Sequence, residues 1–376
     1  MDISCFSSEK SKTGTKNKKK NNRNIGLDKN GNSSKNNLLN KVKSKYILSI
    51  IFGYMKIKQF YSIIQYNKKI QKKCNIDLDN YKNRYFNYQI EIELNIADKI
   101  EKDENIFINY IKEDEPYIHI YLNNIQNEIK RNYLNENEAS SKINIILDIK
   151  FKKFKKLFRD CKCIKKIKFL KFNRNDITDM SEMFSGCIAE EINLTNFNTD
   201  NVKNLHLMFG LCTNLSNLDF SKFNTKNLID ASCMFWLCWS LKKIDLSTFT
   251  GNNISNLRKM FNGCSSLREL NLQSFNTSNV VNMEAMFRGC NLLTKLNLKN
   301  FKTNNVTNMD GMFEGCHRMK ELDISNFNFN KVKKIENFFK FCDDLENIII
   351  PDIKDNIPSS IKKIFLEIKN QTNINI

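Results

Sequence analysis

Cysteine is the residue type with the most capacity for chemistry in this chain, which holds 12 cysteines and three histidines in 376 residues. Eight cysteines close a recurring Phe-x-x-Cys: Phe158/Cys161, Phe184/Cys187, Phe209/Cys212, Phe235/Cys238, Phe261/Cys264, Phe287/Cys290, Phe313/Cys316 and Phe339/Cys342. Thiolates bind metals and attack electrophiles, so the series admits a metal or redox role. A metal centre needs about four ligands converging on one point, whereas a periodic series spreads its members along an axis. Cys161-x-Cys163 is the nearest pair, and Cys-x-x-Cys does not occur. Small, inert thiols filling a tight bend fit the pattern better, and they imply a reducing compartment. His119, His206 and His317 are scattered, and no nucleophile-base arrangement or Gly-rich phosphate loop stands in the sequence. The expectation is a non-enzymatic chain with no metal and no cofactor.

Successive cysteines of the series lie 26 residues apart, with one step of 25 between Cys187 and Cys212. A fixed period of this size is the signature of a solenoid. After Cys264 come Leu267, Leu270, Leu272 and Phe275, then Asn276-Thr277, Val280, Met283, Met286 and Phe287. Leu270-x-Leu272 has the period of a short strand. Val280, Met283, Met286 and Phe287, spaced by three and four, suit a short helix or helical turns. Each unit is too small to bury its own apolar set, so neighbours must close the core. The fold class expected is α/β: a leucine-rich-repeat solenoid of about eight coils, with a small α+β N-terminal region and a disordered basic N-terminal tail.

The run from Cys264 to Cys290 resembles the repeat of BspA-type leucine-rich repeat proteins, and the likeness covers about residues 151–345. The resemblance implies a ligand-binding solenoid; bacterial members of that family are cell-surface proteins, often adhesins. This chain departs from them in lacking an apolar signal segment after Met1 to Phe6. A second, looser resemblance lies at about 42–73, where Ile47-Leu-Ser-Ile-Ile-Phe-Gly-Tyr54 and Ile63-Ile64 to Lys69 look like an F-box. It implies a substrate adaptor of a cullin ubiquitin ligase. The Leu-Pro opening and the late Trp of that family are absent.

Three surfaces are candidates for binding. The outward strand positions Asp219, Lys243, Asp245, Ser247, Glu269, Asn271, Gln273, Lys295, Asn297 and Lys299 present short polar groups with mixed charge, which suits a protein or peptide ligand or a solvated sheet face. The position before the cysteine is Gly in four repeats but Leu211 and Leu237 in two adjacent ones, beside Trp236 and Trp239, the chain's two tryptophans. These four form an apolar patch of hot-spot composition, or a face that docks on the N-terminal region. Lys152, Lys153, Lys155 and Lys156 coat the first coil, as a polar cap or as a patch for an anionic partner. Asn and Asp before the Met/Leu column, at 179, 204, 230, 256, 282 and 308, read as turn scaffold.

The net charge of +19 is concentrated. Residues 1–45 carry +9 and residues 150–174 carry +11, which leaves the remainder at −1. The tail, rich in Lys and Asn, cannot bury enough surface to order itself. Nucleic acid or an anionic membrane could be met through it, but a protein partner is favoured. No run is apolar enough to span a membrane. The location expected is intracellular, cytoplasmic or nuclear, with the cell surface as the alternative.

Five segments follow: a disordered tail at 1–41, a helical pair at 42–84, a strand-rich capping region at 85–149, the repeats at 150–345 and a C-terminal cap at 346–376. Within the pair, Ile47, Ile50, Ile51 and Tyr54 mark one stripe and Phe60, Ile63, Ile64, Asn67 and Ile70 another. The runs 89–96, 117–122 and 143–149 alternate as strands, and 125–134 reads as a helix.

Overall fold

The structure, a computed structural model, describes residues 42, 44, 47–48, 63–64, 66–76, 88–101, 105–123, 125, 127–351 and 361–366. The tail at 1–41, and with it Cys5, lies outside these residues, as does most of the F-box-like segment. The chain divides into two compact units, Met1–Lys82 and Asn83–Ile376.

In the first unit, helix α1 (Lys68–Cys74) starts at Asn67, whose side-chain oxygen accepts the Ile70 N–H at 3.1 Å. Asn67 is thus an N-cap and not part of an apolar stripe, because an Asx side chain competes for the free donors of a first turn. Leu48, Ile64 and Ile70 are buried, while Ile47 is exposed, contrary to its place in the predicted stripe; Ile50, Ile51, Tyr54 and Phe60 lie outside the described residues.

The second unit opens with β1 (Ile90–Ile96), β2 (Asn105–Ile106), β3 (Ile118–Leu122), β4 (Glu128–Ile129), β5 (Tyr133–Leu134) and β6 (Lys142–Leu147). Then come β7 (Ile164–Phe172) and β8 (Glu191–Asn193). Six of these form one sheet in the order β4-β3-β6-β1-β7-β8. β1 runs antiparallel to β6 and β7, and β7 runs parallel to β8. The sheet therefore changes from antiparallel to parallel at β7, where the repeats begin. Strands at 89–96, 117–122 and 143–149 fall where alternation predicted them. The helix predicted at 125–134 is instead β4 and β5: Ile120 pairs with Ile129, and Asn105 with Leu134. Ile125, Ile129 and Tyr133 are four residues apart, a spacing that serves one strand face as well as a helix stripe.

Within the repeats, β9 (Lys243–Asp245) pairs in parallel with β10 (Glu269–Asn271). In the same way β11 (Lys295–Leu296) pairs with β12 (Glu321–Asp323), and β12 with β13 (Asn347–Ile349). The partners are 26 residues apart, so each repeat lies beside the next in register. A second parallel contact runs through Asp179, Asn204, Asp230, Asn256, Asn282, Asn308 and Lys334.

The segment that admits a helix or helical turns takes the form of turns. Two columns of residues have left-handed φ, and they exclude a continuous helix. One column holds Lys156, Glu182, Leu207, Cys233, Lys259, Ala285, Gly311 and Asn337; the other holds Asp160, Gly186, Leu211, Leu237, Gly263, Gly289, Gly315 and Phe341. Between them the N–H groups divide by parity. Met283, Ala285, Phe287 and Gly289 donate to the following repeat, at Asn308, Asp310, Met312 and Glu314, over 2.7–2.9 Å. Met286 and Cys290 donate three residues back within their own repeat. Within this stretch the cross-repeat donors point toward the C-terminal end and the acceptors back toward the N-terminal end; elsewhere in the repeat the sense reverses, as where Val281 and Thr307 donate to the carbonyls of Ser255 and Val281.

Phenylalanine fills the interior in two columns. Phe158, Phe184, Phe209, Phe235, Phe261, Phe287, Phe313 and Phe339 stack with centroids 5.4–5.8 Å apart. Phe172, Phe197, Phe223, Phe249, Phe275 and Phe301 form the second stack. At the end of the chain, a helical turn at 361–366 buries Ile361 and sets Phe365 5.5 Å from Phe329.

Candidate binding surface

The thiol column faces inward. Cys212, Cys238, Cys264, Cys290 and Cys316 are buried, and each donates its S–H to the carbonyl of the Phe that opens the preceding Phe-x-x-Cys, at 3.0–3.3 Å. Burial pushes the thiols of Cys187, Cys238, Cys290 and Cys342 up to about 12 and raises Cys161, Cys212, Cys264 and Cys316 well above the usual thiol range. A protonated thiol is a poor nucleophile and a poor ligand, so the column acts as packing and hydrogen bonding. All eleven described cysteines are free. A thiol-specific reagent is expected to modify only a small fraction of the 12 thiols in the folded protein, and all 12 in denaturant. Rapid modification of about eight under native conditions would contradict this protection.

The Asn and Asp columns are scaffold in a specific way. The side-chain oxygens of Asp179, Asn204, Asp230, Asn256, Asn282 and Asn308 each accept the N–H two residues on, at 2.8–3.2 Å. A further column ties repeats together: Asn201, Asn227, Asn253, Asn279 and Asn305 each donate to a carbonyl of the preceding repeat at 2.7–3.1 Å. Sequence reasoning passed over this second column, although its period of 26 was there to be read.

All ten strand-face positions are exposed. Their polar groups are partly engaged already. Asp219, Asp245, Asn271 and Asn297 accept the N–H groups of Ser221, Ser247, Gln273 and Lys299 at 2.8–3.2 Å. The Ser247 backbone bond, first among several, holds the Asp245 carboxyl below the ordinary range. Lys243 and Glu269 form a 2.8 Å ion pair. Near the 25-residue step, a cavity of about 500 Å³ opens between β8 and residues 216–219, lined by Lys166, Glu191, Asn193, Thr195, Asn217 and Asp219.

The basic patch is partly offset in space by ion pairs. Lys152 pairs with Asp176, Lys153 with Asp114, and Lys155, Lys156 and Arg159 gather on Glu182. Lys165, Lys166 and Lys171 pair with Asp98, Glu191 and Glu91. The acids come from other segments, which is why the charge looked unbalanced in sequence. No helix among the described residues is long and apolar enough to cross a membrane.

The Leu/Trp patch is the most distinctive surface. The residue before the cysteine has φ of +70 to +77° at Gly186, Gly263, Gly289 and Gly315. Leu211 and Leu237 adopt the same region at +62° and +58°. An L side chain there costs about 1–2 kcal/mol relative to ordinary backbone. Leu211 donates its N–H to the Trp236 carbonyl at 2.6 Å, so the two adjacent repeats bring these residues together. Leu211, Trp236 and Leu237 are half-buried and Trp239 is 50% exposed. The Leu237 side chain leans over Gly263, where a Cβ would lie 2.5 Å from Leu237 Cδ2. The same left-handed column ends in Phe341, 54% exposed, which sequence reasoning missed because the comparison stopped short of the last repeat. The strand face, the patch and the lysines occupy different stretches of the repeat and make no single site.

A family model described as Mycoplasma protein of unknown function, DUF285, matches residues 152–269 and again residues 238–350. The two matches together span just over half of the chain and coincide with the repeats. No curated protein matches the chain.

Proposed function

The chain belongs to the DUF285 family, and on that premise we propose that residues 150–345 form a leucine-rich-repeat solenoid that binds a protein partner without catalysis. The contact is the ridge of Leu211, Trp236, Leu237 and Trp239. One observation carries this reading: two adjacent repeats place leucine in a left-handed position where four others have glycine. The ladder does not require leucine here, since four repeats stack with glycine at this position. Strain kept at a half-exposed apolar position is the pattern of a binding site, and tryptophan supplies large contact area at low entropic cost. The thiols and Asx groups already serve the scaffold, which supports binding over chemistry.

The test compares the full chain with Trp236→Ala/Trp239→Ala, both isolated from the native cells with bound proteins quantified. A partner held by the ridge is expected to fall by about 30-fold or more, the effect of losing a hot spot worth about 2 kcal/mol. Lys243→Glu on the strand face should retain it. Leu237→Gly separates binding from folding. Relief of about 1–2 kcal/mol of left-handed strain offsets about 0.5–1 kcal/mol of glycine freedom, so stability should barely change while the partner is lost. Partner retention by the double Trp variant would refute the ridge.

A further inference from the structure

We infer that the C-terminal end of the repeat stack is a second, separate binding edge, built to take an extended acidic peptide segment from a partner protein. The inference rests on the direction of the cross-repeat hydrogen bonds. In the penultimate turn, Met309, Gly311, Phe313 and Gly315 donate to Lys334, Glu336, Phe338 and Lys340 at 2.8–3.1 Å. The corresponding donors of the last turn are the N–H groups of Ile335, Asn337, Phe339 and Phe341. Among the described residues no further repeat follows them, and no acceptor meets them. Their own carbonyls face elsewhere: those of Asn337 and Phe339 accept Lys340 and Cys342 within the turn. Between Ile335 and Phe341 the edge therefore presents a row of donors with no interleaved acceptors, in the alternating backbone that makes anion-binding nests.

The opposite end of the stack is closed. There Asn109 donates its backbone N–H to the Leu157 carbonyl at 2.7 Å and its side-chain amide to the Arg159 carbonyl at 2.7 Å. That contrast selects the occupant. A second copy related by a two-fold axis would set donors against donors. A head-to-tail copy would need the carbonyl edge that Asn109 already occupies. What fits is a foreign extended segment supplying oxygens at alternate positions, as in strand addition to an open edge. Positive charge stands beside the donors: Lys333, Lys334 and Lys340, all exposed, flank them with one acid, Glu336, while the exposed Asp343, Asp344 and Glu346 follow on the way to β13. The exposed Phe341, with Lys340 Nζ 5.1 Å from its ring centre, and the exposed Ile349 add apolar contact.

The probe is a short fluorescent peptide of alternating Glu and Thr, with a Lys/Thr peptide as its counterpart, titrated into the full-length protein. The acidic peptide should bind and its counterpart should not. On binding, amide hydrogen exchange is expected to slow at Ile335, Asn337, Phe339 and Phe341 and to stay unchanged at Glu336, Phe338 and Lys340. The exposed triple variant Lys333→Glu/Lys334→Glu/Lys340→Glu should weaken binding by about tenfold or more. Trp236→Ala/Trp239→Ala should leave it intact, so this edge stands or falls apart from the ridge. Unchanged affinity in the triple variant, loss of binding in the Trp variant, or exchange protection without the alternation would each overturn the proposal. Saturation of the same four amides by inorganic phosphate alone would overturn the peptide and leave a simple anion site.

Discussion

Arg174→Met is expected to cost about 3 kcal/mol of folding stability, from orphaned carbonyls and a lost cation–π contact. Arg174 is 1% exposed, so its guanidinium has little water to fall back on. Nη1 donates to the Phe151 carbonyl at 2.6 Å, and Nε and Nη2 grip both oxygens of Asp176 at 2.8 Å. The cation also lies 5.3 Å from the centre of the Phe154 ring. Methionine fills much of the volume but leaves the carbonyl without a donor. Urea unfolding measures the loss, and an unchanged midpoint with unchanged slope would show that the cluster is not a support. Burial opposes the charge on Asp176, but the bonds from Arg174 and then Lys152 outweigh it and hold the carboxyl down to about 2. The folded value lies below the unfolded one, near 3.9. The contribution is therefore complete above about pH 4 and is lost as pH falls from there toward 2. The variant should lose less stability over that window than the wild type does.

Phe235→Ala is expected to cost about 3–5 kcal/mol, the range for a large aromatic removed from a packed core. Its ring stacks on Phe209 at 5.8 Å and on Phe261 at 5.5 Å, and meets Phe220 edge-on at 5.6 Å. A cavity there has walls on both sides, and the backbone ladders on either side resist its collapse. Phe339 gives the comparison. It is half-buried and stacks on one neighbour of its own column, Phe313. Phe339→Ala should cost about half as much, because nearest-neighbour stacks lose one interface at an end and two in the middle. Equal costs at the two positions would mean that stability is not distributed repeat by repeat.

Much of the second unit was legible because its signal is repetition. A residue such as Cys264 recurs with its whole environment, so one interpretation serves eight times. The inward thiols and the Asx turns of Asn282 and Asn308 followed from residue type and spacing alone. The left-handed column was half visible: glycine at 186, 263, 289 and 315 hinted at it, while Asp160 and Phe341 hid its two ends. Features that depend on unlike segments meeting were not legible. Arg174 looked like one more positive charge in a basic run, because nothing local says that it turns inward to Phe151. Asn109 lies some fifty residues from the carbonyls it closes. The acids that neutralise Lys153 and Lys165 come from the N-terminal strands and their connections, beyond the reach of any periodicity.

The left-handed ladder also bears on how such a molecule can change over generations. Every junction between repeats offers the same donors at the same pitch to the same acceptors, whichever repeat supplies them. Removing a block such as 265–290 therefore brings Cys264 up to the segment that followed Cys290 with each bond finding an equivalent partner. Length becomes a quantity that inheritance can adjust in whole steps, with no redesign of the interior. The two ends are outside that freedom, since the Asn109 closure and the open final turn each occur once. Descendants of different length would keep the same pair of ends, set nearer together or farther apart, like jaws sliding on a graduated bar.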